Sequence, residues 1–312
     1  MPNDIFEESK GMNHMAKQLM LIINPAAGKG EGSTVGGRLL DMYDAAGYEF
    51  RVHFTRKEGD AGRFAAACDE SIDKIVCVGG DGTLSETLGG LLQASYQPEI
   101  CYVPMGSTND LARSMNLSFD PMEAGRLVME GESSWVDAGR FNDRFFSYVA
   151  CFGAFSSTSY ETDRALKNKL GHIAYVLSGA KELTNIRPYP VRVECKEGTI
   201  EGRFLFGAVC NTRTVGGLLK LPVTVEELSD GRHELFMVRE PRDVGETQQL
   251  LTALTLGNYN NDLIECHSVS QAVFHMPEEM PWSLDGERAD AGRRVEFSTL
   301  PRAYRLMLPR KE

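Results

Sequence analysis

Residues 75–92, IVCVGGDGTLSETLGGLL, decide how this chain folds. Ile75–Val78 is a short, wholly apolar run that reads as a buried strand. Gly79, Gly80, Asp81, Gly82 and Thr83 interrupt it, and Leu84, Leu88 and Leu91 then recur at helical spacing. A strand that ends in a glycine pair and restarts as a helix leaves unpaired N–H groups at the helix N-terminus, where the macrodipole favours an anion such as phosphate. The glycines let the main chain approach that anion, and Asp81 is a hard oxygen ligand suited to Mg2+ or to a water on it. By loop rules alone a Gly-Gly-Asp-Gly stretch is as readily a tight turn; its place between strand and helix favours the phosphate role.

The same grammar recurs on both sides. Gln18–Asn24 (QLMLIIN) is an apolar strand that runs into Asn24-Pro25-Ala26-Ala27-Gly28-Lys29-Gly30. No Ser or Thr follows Lys29, so this is not a Walker A loop, but small residues lead from a strand end into a helix (34–46) in the same way. Tyr48–Thr55 alternates as a second strand and Asp60–Asp69 is helical. Residues 98–104 hold a fourth strand, followed by Met105-Gly106-Ser107-Thr108-Asn109-Asp110 and a short helix through Ser114. Strands alternating with helices imply a parallel sheet with ligands at the carboxyl ends of its strands. Three Gly-rich loops, 24–30, 79–83 and 105–110, converge on one such edge and point to a nucleotide-sized site. Locally, Asn109 and Asp110 equally suit a helix N-cap.

Beyond a helix at Pro121–Gly131 the texture changes. Ser134–Phe155 reads as two strands around Asn142-Asp143, and a long helix follows at about 159–184. Short strands come next, at 189–197, 200–211, 232–239, 262–275, 281–284 and 293–298. The Asp-Gly and Glu-Gly turns between them indicate an antiparallel sandwich or barrel. The expected fold is therefore an α/β nucleotide-binding domain (18–131) followed by an all-β domain (132–299). Residues 1–17 read as a disordered lead-in, and 300–312 are free to return to the first domain.

Composition sets the outer limits. With 312 residues, 42% apolar and 25% charged, the chain suits about two globular domains. A net charge of −11 argues against binding nucleic acid or an anionic bilayer by bulk charge. The N-terminal stretch is polar and lacks an apolar signal core. Seven scattered cysteines without a CxxC pair, and six histidines without HxxxH spacing, argue for reduced thiols, a cytoplasmic setting and no zinc.

The three loops together resemble the diacylglycerol kinase catalytic-domain superfamily, in its branch of bacterial soluble lipid kinases. The matching residues are Asn24-Pro25-Ala26-Ala27-Gly28-Lys29-Gly30, Gly79-Gly80-Asp81-Gly82-Thr83 and Gly106-Ser107-Thr108-Asn109-Asp110-Leu111-Ala112. The similarity continues through Val136-Asp137, Lys169–Tyr175, Gly216-Gly217 and Asp230-Gly231 to Leu284-Asp285-Gly286-Glu287. Gly-Gly-Asp-Gly-Thr alone is shared with NAD kinases; the ordered set is more specific. The resemblance implies an α/β domain that binds ATP and a β-sandwich domain that takes a lipid, with Mg2+ as cofactor. It assigns the ATP site to Asn24, Pro25, Ala26, Ala27, Gly28, Thr55, Gly79, Gly80, Asp81, Gly82, Thr83, Leu84, Ser85, Glu86, Ser107 and Thr108. Asp81, Asn109, Asp110 and Asp137 would form the network that holds Mg2+-ATP, Asp230 would bind a structural Mg2+, and Glu287 would be the general base. Ala27 and Ser107 stand where the family often has Ser and Thr. The family also suggests a homodimer working peripherally at the inner membrane face.

Each assignment has a plainer reading. Asp285-Gly286 and Asp230-Gly231 are natural hairpin turns, although a turn can also present Glu287 to a cleft. Asp137 follows Trp135-Val136 in an apolar strand, where a carboxylate needs a cation or a donor. The 159–184 helix carries an apolar stripe with Lys167, Lys169 and Lys181 near it, which suits either a membrane surface or the core. Two other functions use the same loops: an NAD kinase, and a nucleotide-binding regulator without catalysis.

Overall fold

A computed structural model describes residues 17–153, 187–215, 219–221 and 223–310. The expected long helix at 159–184, the Lys169–Tyr175 match and Gly216-Gly217 lie outside the described residues, as do residues 1–16.

The first half is a parallel sheet of β1 (Gln18–Ile23), β2 (Glu49–Phe54), β3 (Lys74–Gly79) and β4 (Glu99–Pro104), in spatial order β4-β3-β1-β2. Each strand has two faces because side chains alternate. Leu19, Leu21, Ile23, Val76, Val78 and Val103 pack on one side, with Leu39 and Tyr43 of α2 (Gly32–Ala45) and Val128 of α6 (Pro121–Glu130). Met20, Ile22, Ile75, Cys77 and Tyr102 pack on the other, with Ala61 and Ala65 of α3 (Asp60–Ala66) and Leu84, Leu88 and Leu91 of α4 (Asp81–Leu91). Both faces are covered, so the strands read as unbroken apolar runs. The order of the strands reverses between β1 and β3, and their two loops flank that switch point, where open α/β sheets bind ligands. Two further short elements, the turn α1 (Ala27–Gly30) and α5 (Asp110–Ser114), follow β1 and β4.

The second half is antiparallel: β5 (Glu132–Phe141), β6 (Arg144–Phe146), β7 (Val149–Gly153), β8 (Tyr189–Cys195), β9 (Gly198–Cys210), β10 (Thr214–Val215), β11 (Leu219–Lys220), β12 (His233–Arg239), β13 (Ile264–Val269), β14 (Gln271–His275), β15 (Met280–Leu284), β16 (Glu287–Ala291) and β17 (Arg294–Leu308). Several details differ from the sequence reading: β10, β11 and β16 were not expected. Residues 134–153 hold three strands, since Ser147 and Tyr148 break the pairing after β6. The 262–275 run divides at Ser270. A helix, α7 (Val244–Leu256), stands where alternation suggested none. Its signals are local: Asp243 Oδ1 accepts from Glu246 N–H at 2.8 Å, Glu246 Oε2 accepts from Arg242 N–H at 2.7 Å, and Gly257 closes the far end at φ 66°.

The last strand joins the halves. Residues 294–298 of β17 pair with β14, while Leu306 pairs in parallel with Ile100 of β4. β5 runs antiparallel to β17 along both segments, with a register shift between Leu300 and Tyr304. One hydrogen-bonded sheet therefore runs through both halves.

Where α3 meets α4, glycine is required. A Cβ on Gly90 would lie 2.0 Å from the Gly62 carbonyl oxygen, which is backbone and cannot swing aside. Gly90→Ala is expected to lower stability by about 1–3 kcal/mol through overpacking, read as a fall in Tm. A Tm equal to that of the unmodified chain would contradict this packing.

Candidate active site

The three glycine loops form one hydrogen-bonded unit. Gly28, at φ 60°, donates its N–H to the Met105 carbonyl at 2.8 Å, and Met105 N–H donates to the Gly79 carbonyl at 2.7 Å. Asn24 Oδ1 accepts from Ala26 N–H at 3.0 Å, and Asn24 Nδ2 donates to Thr83 Oγ1 at 3.1 Å. Gly80 and Gly106 touch backbone to backbone: a Cβ on Gly106 would stand 2.7 Å from the Gly80 Cα. Asn109, left-handed at φ 51°, ties the third loop together. Its Oδ1 accepts from Gly106 N–H at 2.8 Å and Tyr102 O–H at 3.1 Å, and its Nδ2 donates to the Gly106 carbonyl at 2.9 Å.

These loops surround an open cleft of about 710 Å³ whose lining includes Asn24, Gly28, Gly80, Thr83, Gly106 and Ser107. The first turn of α4 opens on it. A recess of about 270 Å³ adjoins it, with Pro25, Thr55, Arg56, Lys57, Glu58 and Glu86 in its wall. Of the expected nucleotide residues, Asn24 to Gly28, Thr55, Gly80, Gly82, Thr83, Glu86 and Ser107 line these two spaces. Others, Asp81 among them, are not among these lining residues. Leu84 is a core side chain, 1% exposed, and Ser85 Oγ points to Asp285. Gly79 lies beneath Thr83, whose Cβ is 2.5 Å from where a Cβ on Gly79 would sit. The Thr108 carbonyl accepts from Arg113.

The Asp81 carboxylate accepts from backbone donors of the third loop, Asn109 N–H reaching Oδ2 at 2.7 Å and Asp110 N–H adding to it. Its Oδ1 is buried without a hydrogen-bond partner. Burial first, and then the neighbouring Asp110 charge, push Asp81 up to about 7. Asp110 is buried and accepts from Thr214 Oγ1 at 3.0 Å. A hard anionic oxygen with an open coordination position fits a divalent cation. Among the described residues no three His, Cys, Asp or Glu side chains converge as a closed metal cage.

Asp137 and Asp230 sit apart in role from this cleft. Asp137 is fully buried, and its two oxygens accept from Gly231 N–H at 2.6 Å and Arg302 N–H at 2.7 Å. It is thereby committed to the 230–231 turn and to the break in β17, whereas Asp81 takes Asn109. Asp230 is exposed, and Oδ1 accepts from Arg232 N–H at 2.8 Å in the same turn.

Sequence reasoning named Glu287 and passed over the residue that places it. Asp285, at φ 51°, and Gly286, at φ 91°, make the two-residue turn between β15 and β16. The Asp285 side chain is buried and accepts five hydrogen bonds. Ser147 N–H, Ser147 O–H and Ser85 O–H reach Oδ2 at 2.6, 2.8 and 2.8 Å; Tyr148 N–H and Val149 N–H reach Oδ1, each at 3.0 Å. The signal was the Asp itself, because a turn alone is served as well by Asn, which cannot accept at both side-chain atoms. Glu287 follows at the start of β16, half-buried. Burial raises its carboxyl above the ordinary value, the Glu58 and Glu86 charges add to this, and Arg144 opposes it.

Residues 18–141 match the family model described as diacylglycerol kinase catalytic domain. A diacylglycerol kinase of Bacillus subtilis (strain 168) is 30% identical over 299 residues, which cover 95% of this chain and 98% of that protein. One from Staphylococcus aureus (strain MRSA252) is 32% identical over 275 residues, covering 88% and 87%. Among solved structures, a crystal structure of a diacylglycerol kinase from Bacillus anthracis str. Sterne superposes with a TM-score of 0.73 at 21% identity, covering 94% of this chain and 96% of that one. A second from the same organism reaches a TM-score of 0.79 at 23% identity, covering 97% and 98%. These structures share the two-part fold, an α/β half followed by an antiparallel β half. By its matched catalytic region and its near full-length relatives, the chain belongs to the diacylglycerol kinase family and is a lipid kinase.

Proposed function

We propose that this chain moves the γ-phosphoryl group of ATP to a hydroxyl of diacylglycerol or a related lipid, with Mg2+ as cofactor and Glu287 as general base. One observation carries the reading: the Ser85–Asp285 hydrogen bond, 2.8 Å long, ties the helix that opens on the nucleotide cleft to the turn that bears Glu287. Phosphoryl transfer asks a protein mainly for positioning and for charge to be neutralised. The free N–H groups of the 79–83 loop and the first turn of α4 cradle phosphate oxygens. Asp81 and Asp110 would hold Mg2+, which when bound neutralises charge on the phosphates. Glu287 accepts the proton of the lipid hydroxyl as that oxygen bonds to the γ-phosphorus, and the bond to the β–γ bridging oxygen breaks to release ADP. A carboxyl raised above its ordinary value is a stronger base once ionised. Asp230 would contribute an oxygen to a structural cation away from the reacting atoms. The lipid is met at a membrane surface by peripheral association; among the described residues no helix is long and apolar enough to cross a membrane.

The direct test is ATP consumption with Mg2+ over a panel of mixed-lipid micelles, with NAD+ as a separate acceptor. Lipid-dependent turnover is expected, and Glu287→Gln is expected to lower kcat by about 10²- to 10⁴-fold. Turnover on NAD+ alone would contradict the proposal. A second prediction follows from Asp81. The native chain keeps its proton between the ordinary 3.8 and about 7, where the unfolded chain has lost it. Stability from this group therefore falls as pH rises through that window, and the penalty is complete above it. Asp81→Asn is expected to raise the Tm of the Mg2+-free protein more at about pH 8 than at about pH 5. An equal change at both would show that Asp81 is not so perturbed.

A further inference from the structure

Behind the Asp285 turn lies a small recess between α4, β5, β6 and β17. Its walls include Ser85, Leu88, Ala138, Phe146, Ser147 and Tyr304, and its volume is about 10 Å³. That is room for about one water molecule. The Tyr304 side chain is 1% exposed, and its hydroxyl is buried without a hydrogen-bond partner. A buried phenol normally has one, and leaving it unpaired costs stability. Burial, and then the charges of Asp285 and Asp137, push the Tyr304 phenol up, so it stays protonated and is a donor.

The other polar walls are acceptors. Ser85 and Ser147 each direct their single hydroxyl proton to Asp285 Oδ2, both at 2.8 Å. Their oxygen lone pairs remain available. One donor and two acceptors around a water-sized space match what a water can complete, accepting once and donating twice. Buried waters typically make about three such bonds.

We infer that one ordered water occupies this space, accepting from the Tyr304 hydroxyl and donating to Ser85 Oγ and Ser147 Oγ, and that Tyr304 is thereby a positioning residue for the turn that carries Glu287. The water keeps both serine protons turned toward Asp285, so the last strand of the chain takes part in holding the Asp285 carboxylate. Tyr304 touches no reacting atom; it acts through the serines and Asp285. The kinetic part of the inference rests on the lipid-kinase reading above, whereas the water site does not.

The test compares the full chain with Tyr304→Phe, a change that keeps the ring and removes only the hydroxyl. A high-resolution crystal structure should show one water touching all three oxygens in the unmodified chain and none in the variant. An empty space in the unmodified chain would overturn the inference whatever the activity. The direction of the Tm change decides separately: a hydroxyl bound to water makes Tm fall on its removal, and a lone buried hydroxyl makes it rise. In kinetics, kcat is expected to fall roughly 10-fold with the KM for ATP unchanged, as for a misplaced catalytic group. An unchanged kcat would overturn the positioning role. Absence of lipid phosphorylation by the unmodified chain would count against the proposed function alone, leaving density and Tm to judge the water.

Discussion

The Asp285 carboxylate is the constraint on which the rest of this site depends. Five donors surround it, three from the backbone of Ser147, Tyr148 and Val149 and two from the hydroxyls of Ser147 and Ser85. A buried carboxylate with that many donors resists displacement, because moving it away would leave several buried N–H and O–H groups unpaired at once. It is also one of the points at which the two halves meet, beside β17 and the Asp110–Thr214 hydrogen bond. Ser85 belongs to α4 of the first half, while Ser147 lies in the break between β6 and β7 and Val149 opens β7. Glu287 is two residues along the chain, so its position is set by an anchor reaching into both halves.

Two other devices serve the same end. The glycines at 80 and 106 let two loops cross with their backbones in contact, which brings Asn109 over Asp81 and leaves Asp81 Oδ1 buried and open. Asp137 meanwhile binds the N–H of Arg302, a left-handed non-glycine residue at φ 50°, at the place where β17 passes between the halves. A carboxylate accepting a backbone N–H at 2.7 Å supports a conformation that costs energy by itself. Buried carboxylates thus divide the work: Asp81 and Asp110 lie close together beneath the glycine loops, Asp285 holds the turn that bears Glu287, and Asp137 holds the passage of β17 between the halves.

The nucleotide half was legible in the sequence because its strands are buried on both faces and its loops carry glycines where backbone must approach backbone. Runs such as Ile75–Val78 and Glu99–Pro104 leave little choice of structure, and Asn24, Gly80, Thr83 and Ser107 lie together around one cleft. The β half was legible only in outline. Its strands alternate weakly, so β16 and the divisions at Ser147 and Ser270 were invisible to periodicity, and the Asp243–Glu246 cap of α7 was outweighed by the surrounding strands. Leu84 and Ser85 were assigned to the nucleotide by their place in a contiguous motif; helical geometry places the Leu84 side chain in the core and the Ser85 hydroxyl on Asp285. Asp285 was missed for a different reason. Its role comes from partners more than a hundred residues away, and no local pattern records such a meeting.

The most direct measurement of the central claim is turnover and ATP affinity for Asp285→Asn, set beside Glu287→Gln. If the Asp285 anchor places the base, a folded Asp285→Asn variant binds ATP as the unmodified chain does but loses kcat by roughly 100-fold or more, approaching the loss on removing the base itself. Turnover equal to that of the unmodified chain would contradict the account, because Glu287 would then be held in place by something other than the carboxylate at the domain junction.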